Sequence, residues 1–154
     1  MTGWRLGYAV APKHVSQCME KLLNNMTSCP VSFVQRAAVA ALKGLQKPVE
    51  QMVDTFAERR KVICQLTRNI DDVSIVEPEG AFYLFVNVKK ILRRMGINSE
   101  TLVQRLPERH GVAVLHGSAM GRHGEGYVRF SFANSIGNIR EGIRRFKMAC
   151  ETPA

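Results

Sequence analysis

Residues 124–135 read GEGYVRFSFANS, and the alternation that begins at Tyr127 predicts a strand running to Ala133. Successive side chains of a strand point to opposite faces. Val128, Phe130 and Phe132 therefore share one face, while Tyr127, Arg129 and Ser131 share the other. The first face suits a core. Arg129 leaves it and points towards something polar. Its guanidinium is a planar fork that matches a carboxylate or a phosphate, although an arginine that simply faces solvent fits the alternation equally well.

The surrounding sequence supplies neighbours for this strand. Two more strands are predicted, Val73–Val76 and Ala81–Val88, separated by the turn EPEG at 77–80. The second is apolar at nearly every position, which predicts cover on both faces. Helical stretches follow at Lys89–Met95 and Ser99–Arg109, the latter capped by Ser99 and facing inward through Leu102, Val103 and Leu106. A short strand over Val112–Leu115 then leads into GSAMGRHGEG at 117–126. A phosphate cradle would run into a helix N-terminus, whereas this loop runs into a strand, so it is expected to be a flexible connection. The final helix carries Ile139, Ile143, Phe146 and Cys150 in one stripe and pairs Glu141 with Arg145 four residues on.

The front of the chain is organised differently. MTGWRLGYAV at 1–10 contains an alternating run, residues 4–10, that predicts a strand. It holds Arg5, which requires an anionic partner if buried and none if it lies on an exposed edge. Gly3 and Gly7 on either side would let a bulky ligand approach the backbone. This strand has no neighbour within its own segment. A helix from Pro12 to about Asn24 follows, then one over Val31–Leu45 whose Ala37, Ala38 and Ala41 predict close packing, then one over Pro48–Asn69. The organisation expected is α/β: a helical front segment at 1–47, a bridging helix at 48–70 and an α+β small domain at 71–154.

Composition narrows the function classes. With 45% apolar and 23% charged residues among 154, the chain is globular. No apolar run approaches the ~20 residues of a membrane helix. Cys18, Cys29, Cys64 and Cys150 form no CxxC pair and read as reduced thiols. His14, His110, His116 and His123 show no zinc spacing, so no metal is expected. The net charge of +9 raises nucleic-acid binding as one alternative. The basic residues are spread along helix faces, without the aromatics of a strand-binding stripe, so it ranks behind the others. A truncated, non-catalytic interaction or folding module is a second alternative.

MTGWRLGYAV, SFVQRAAVAAL (32–42), EPEGAFYLFVNV (77–88) and GEGYVRFSFANS stand in an order and at separations that resemble the class I aminotransferases. These are pyridoxal-phosphate enzymes of fold type I. The likeness extends from Met1 to about Phe146 and is nearest to the aspartate and aromatic branch. It implies that 1–47 is the end of a larger domain, that Arg5 binds the cofactor phosphate and that Arg129 binds the α-carboxylate of the substrate. It also implies amino-group transfer between an amino acid and a 2-oxo acid, in a cytoplasmic homodimer. In that family the lysine that holds the cofactor as a Schiff base precedes the Met-Thr-Gly-Trp-Arg motif, so it is expected upstream of Met1. No catalytic residue is therefore assigned within these residues. The stretch is expected to be a C-terminal portion that lacks its N-terminal large-domain segment and is inactive alone.

Overall fold

A computed structural model describes residues 1–151. The small domain expected over 71–154 ends in residues that lie outside the described ones. The chain forms two compact units, Met1–Glu50 and a second from Gln51 onward. Six helices and four strands are described: α1 (Lys13–Met26), α2 (Ser32–Lys43), α3 (Lys47–Arg68), β1 (Ser74–Ile75), β2 (Tyr83–Asn87), α4 (Lys89–Met95), α5 (Ser99–His110), β3 (Leu115–His116), β4 (Tyr127–Ser131) and α6 (Ile136–Glu151).

In the second unit the strands form one antiparallel sheet of order β1-β2-β4-β3. Leu84 and Val86 of β2 and Val128 and Phe130 of β4 alternate onto its buried face. There they join Ile63 and Cys64 of α3, Ile91 of α4, Leu102 and Leu106 of α5, and the α6 stripe of Ile139, Ile143, Phe146 and Cys150 in one core. Helices and sheet are thus layered around a single apolar cluster. Burial pushes the Cys150 thiol up to about 12, so it behaves as a small apolar residue.

Outside the core, α6 is latched to itself. Glu141 accepts hydrogen bonds from Arg144 Nε and Arg145 Nε, both at 2.8 Å. First the Arg144 and then the Arg145 hydrogen bond lowers its carboxyl from 4.5 to about 2. Because the folded-state value lies below the unfolded one, this contribution is complete above pH 4.5 and fades as pH falls towards 2. Thermal melts across that window should show a steeper acid loss for the native sequence than for Glu141→Gln. Salt should flatten the difference, since the ion pair is exposed.

Several elements differ from the sequence reading. Residues 4–10 form no strand. Thr2–Trp4 is a single 3-10 turn, and Arg5 closes it at φ 54°, in the left-handed region. A strand is stabilised by pairing with another, and among the described residues every strand belongs to the sheet of the second unit. The alanine face of α2 is not packed: within Met1–Glu50 only Val34 is buried. The strand of β2 is covered on one face rather than two, leaving Phe85 exposed. The strand expected at Val112–Leu115 is reduced to Leu115–His116, because α5 ends on left-handed Gly111 and the chain must first turn. The cap of α5 is Asn98, whose side chain accepts from Thr101 N at 2.8 Å. Ser99 instead gives both its amide and its hydroxyl to Glu125, at 2.9 and 2.7 Å.

Candidate carboxylate-binding site

Arg129 sits at the centre of β4, an interior strand bonded on both sides, and this fixes its backbone. Its cross-strand partners are Phe85 of β2 and Leu115 of β3. Period-two alternation places all three side chains on the face opposite the core, with Tyr83 and Tyr127. On this open face Phe85 and Tyr127 stack with their planes 5° apart and centroids 4.9 Å apart. Lys89 Nζ lies 4.8 Å from the Tyr127 centroid.

The Arg129 guanidinium carbon lies 4.2 Å from the centre of the Tyr83 ring, and its Nη1 donates towards Met120 Sδ at 3.6 Å. No carboxylate of the described residues is within ion-pair reach of it. Several other arginines of this unit are spent on carboxylates. Arg68 is held by Glu77 and Arg94 by Asp72, each at 2.8 Å, and Arg144 and Arg145 share Glu141. A half-buried cation on a solvent-facing sheet, with Nε and Nη2 unused, is chemically ready for an anion.

Met120 is carried by the glycine loop, whose composition predicts a flexible connection. It folds into two 3-10 turns, Gly117–Met120 and Arg122–Gly124. Gly117 and Gly124 touch: a Cβ on Gly117 would stand 2.1 Å from the Gly124 carbonyl oxygen and 2.8 Å from Phe85 Cζ. Gly117 and Gly124 serve close approach, whereas Gly121, at φ 119° with open space around it, serves the turn between the two. Glu125 ties the far end of the loop to α5 through Ser99, whose backbone and then side-chain hydrogen bonds hold the Glu125 carboxyl below the usual range. Gly117→Ala should cost about 3 kcal/mol by overpacking against backbone, read as a lowered denaturation midpoint. It should also displace Met120 from Arg129.

Arg5 belongs to the first unit. Its guanidinium is exposed and has no hydrogen-bond or ion-pair partner among the described residues. The space that a Cβ on Gly3 or Gly7 would enter is empty to 4 Å. The two arginines singled out in the sequence therefore lie in separate units. The sequence reading missed Tyr83 and Met120 as neighbours of Arg129. Tyr83 was findable, since cross-strand pairing of 81–88 with 127–133 puts it on the same face; nothing in the loop composition signalled Met120.

Among the described residues no group of His, Cys, Asp and Glu is placed to hold a metal ion. No described helix is long and apolar enough to cross a membrane.

Comparison with known proteins gives these features a family. Residues 1–146 match the family profile "Aminotransferase class I and II". The chain is 40% identical over 153 residues to the aspartate aminotransferase of Pyrococcus horikoshii, covering 98% of this chain and 38% of that protein. It is 38% identical over 152 residues to that of Bacillus subtilis, again covering 98% and 38%. The crystal structure of the aspartate aminotransferase from Rhizobium meliloti superposes with a TM-score of 0.86 at 33% identity, covering 98% of this chain and 39% of that one. That of an aromatic aminotransferase from Pyrococcus horikoshii does so at 0.84 and 37%, covering 96% and 39%. The chain thus spans less than two fifths of the length of these relatives. By sequence and by fold, the chain belongs to the class I and II aminotransferases, a family that depends on pyridoxal phosphate.

Proposed function

We propose that this chain is the C-terminal portion of an aminotransferase and supplies its substrate-carboxylate grip, moving amino groups between amino acids and 2-oxo acids only with the rest of the enzyme. The observation that carries this is Arg129: an arginine fixed on an interior strand, its edge unpaired by any described carboxylate. Bidentate pairing there would orient the α-carboxylate and so set the angle at which the α-carbon meets its reaction partners.

The residues present fit part of a pyridoxal-phosphate site. Arg5 is an unpaired cation with open space at Gly3 and Gly7 on either side, a donor of the kind that a phosphate ester accepts from. When bound, the cofactor supplies the electron sink for chemistry at the α-carbon. The chain's own residues anchor and orient: Arg5 the phosphate, Arg129 the substrate acid group. The lysine that family members use as covalent holder and proton carrier precedes the Met-Thr-Gly-Trp-Arg motif, and none of the 154 residues stands there. Lysines elsewhere, such as Lys13 and Lys21, stand in other contexts.

The first unit supports the need for a partner. Leu22, Leu23 and Met26 of α1 and Phe33 and Leu42 of α2 are all exposed, and large apolar side chains left open in number are a mark of an interaction face. The partner in this reading is the remaining large-domain polypeptide, in a homodimer of the whole enzyme. The cytoplasm is its compartment, in keeping with four unpaired cysteine thiols.

A direct test is to supply the chain with pyridoxal phosphate, aspartate and a 2-oxo acid. Turnover should not exceed that of the free cofactor. Turnover well above it would show that a residue of this chain replaces the missing lysine, contrary to the proposal.

A further inference from the structure

We infer that Tyr83 and Met120 are positioning residues that hold the Arg129 guanidinium as a preset fork, with its edge left free for an incoming carboxylate. The carboxylate role rests on the reading of Arg129 given above; the hold itself does not.

An arginine side chain carries much rotamer freedom, and binding through an unconstrained one must first remove it. Proteins commonly still an arginine with an aspartate or glutamate, as Glu141 does for Arg144 and Arg145. That solution spends the N–H edge that a substrate would use. Tyr83 acts on the other surface of the group. Its ring lies against the guanidinium, 4.2 Å from ring centre to the central carbon. A cation over an aromatic ring is attracted through its face, so the edge stays open. Met120 takes Nη1 through its soft sulfur at 3.6 Å. Nε and Nη2 have no hydrogen-bond partner among the described residues.

Both holders are themselves held. Tyr83 lies on β2, paired with Ser131 of β4, and its ring meets Phe82 at 4.5 Å. Met120 closes the turn that begins at Gly117, in the loop locked by the Gly117–Gly124 contact and by Glu125 on Ser99. The tight glycine loop thereby acquires a purpose: it delivers a thioether to a fixed place beside the guanidinium.

The test is nitrogen relaxation of arginine Nε–H groups in the 154-residue chain. Arg129 should show an order parameter above about 0.6 in the unsubstituted chain and in Tyr83→Phe, and below it in Tyr83→Leu. Arg144, held by Glu141, should not change in any variant and reports folding. An Arg129 that is already disordered in the unsubstituted chain, or unaffected by Tyr83→Leu, overturns the inference. If Tyr83→Leu does not fold, the unsubstituted chain decides: Arg129 δ-methylene protons shifted upfield by the ring support the hold, and unshifted protons overturn it. The consequence for binding is read after grafting the chain into a relative. There Tyr83→Leu should raise KM for the amino acid about 2–5-fold with kcat little changed, and Tyr83→Phe should restore it. A fall in Arg129 order with KM unmoved upholds the hold and removes the carboxylate role instead.

Discussion

Replacing Arg129 by Leu should lower kcat/KM by about 100- to 1000-fold in an enzyme built by substituting this chain for the matching 38% of the Bacillus subtilis aspartate aminotransferase. The size follows from what is left behind. A carboxylate drawn into a closed active site without its guanidinium keeps its desolvation cost and loses its partner, a penalty of about 2–5 kcal/mol. Arg129→Lys should recover part of this, because the charge remains while the two-pronged geometry is lost. Circular dichroism and the melting temperature should barely move in either variant, since Arg129 is on the face opposite the core. A loss under about 5-fold for Arg129→Leu would place the carboxylate grip elsewhere.

Phe146→Ala should remove about 3–5 kcal/mol from the stability of the second unit. Phe146 is completely buried and meets Phe130 edge-to-face with centroids 4.9 Å apart, so it joins α6 to the central strand of the sheet. Deleting the ring loses its transfer energy and opens a cavity between helix and sheet, where neither layer can close without moving the other. Typical domains have only about 5–15 kcal/mol in all, so urea denaturation of this variant should begin well below the native midpoint. Phe33→Ala is the natural contrast. Phe33 is 64% exposed on α2, and its removal should change stability by no more than about 0.5 kcal/mol. Equal losses in the two variants would mean that the core is not where the burial pattern puts it.

Much of the second unit could be read from its sequence because short-range pattern and long-range packing agree there. The stripe of Ile139, Ile143, Phe146 and Cys150 specifies the buried side of α6, and all four are buried. The alternation at 127–132 separates core from open face, and Arg129 falls on the open side. What was misread depended on partners that local pattern does not encode. Residues 4–10 have strand-forming composition, yet composition supplies no neighbouring strand to bond with. The composition of 117–126 does not show that Gly117 and Gly124 are small so that two backbone segments can touch. Ser99 looked like a cap, but Asn98 holds that position and Ser99 answers to Glu125, a carboxylate 26 residues away in sequence. The candidate site followed the same division. Arg129 was visible from alternation alone, while its holders Tyr83 and Met120 required the cross-strand register and the loop's fold.

The central claim is that Arg129 grips the acid group of the substrate, and the most direct measurement varies the residue and that group together. The grafted enzyme and its Arg129→Leu variant would each be given an amino acid and the corresponding amine without the carboxylate. The account predicts that the substitution costs about 100-fold or more with the amino acid and nearly nothing with the amine, which has no group for the guanidinium to hold. Equal losses with both substrates, or no loss with either, would contradict it.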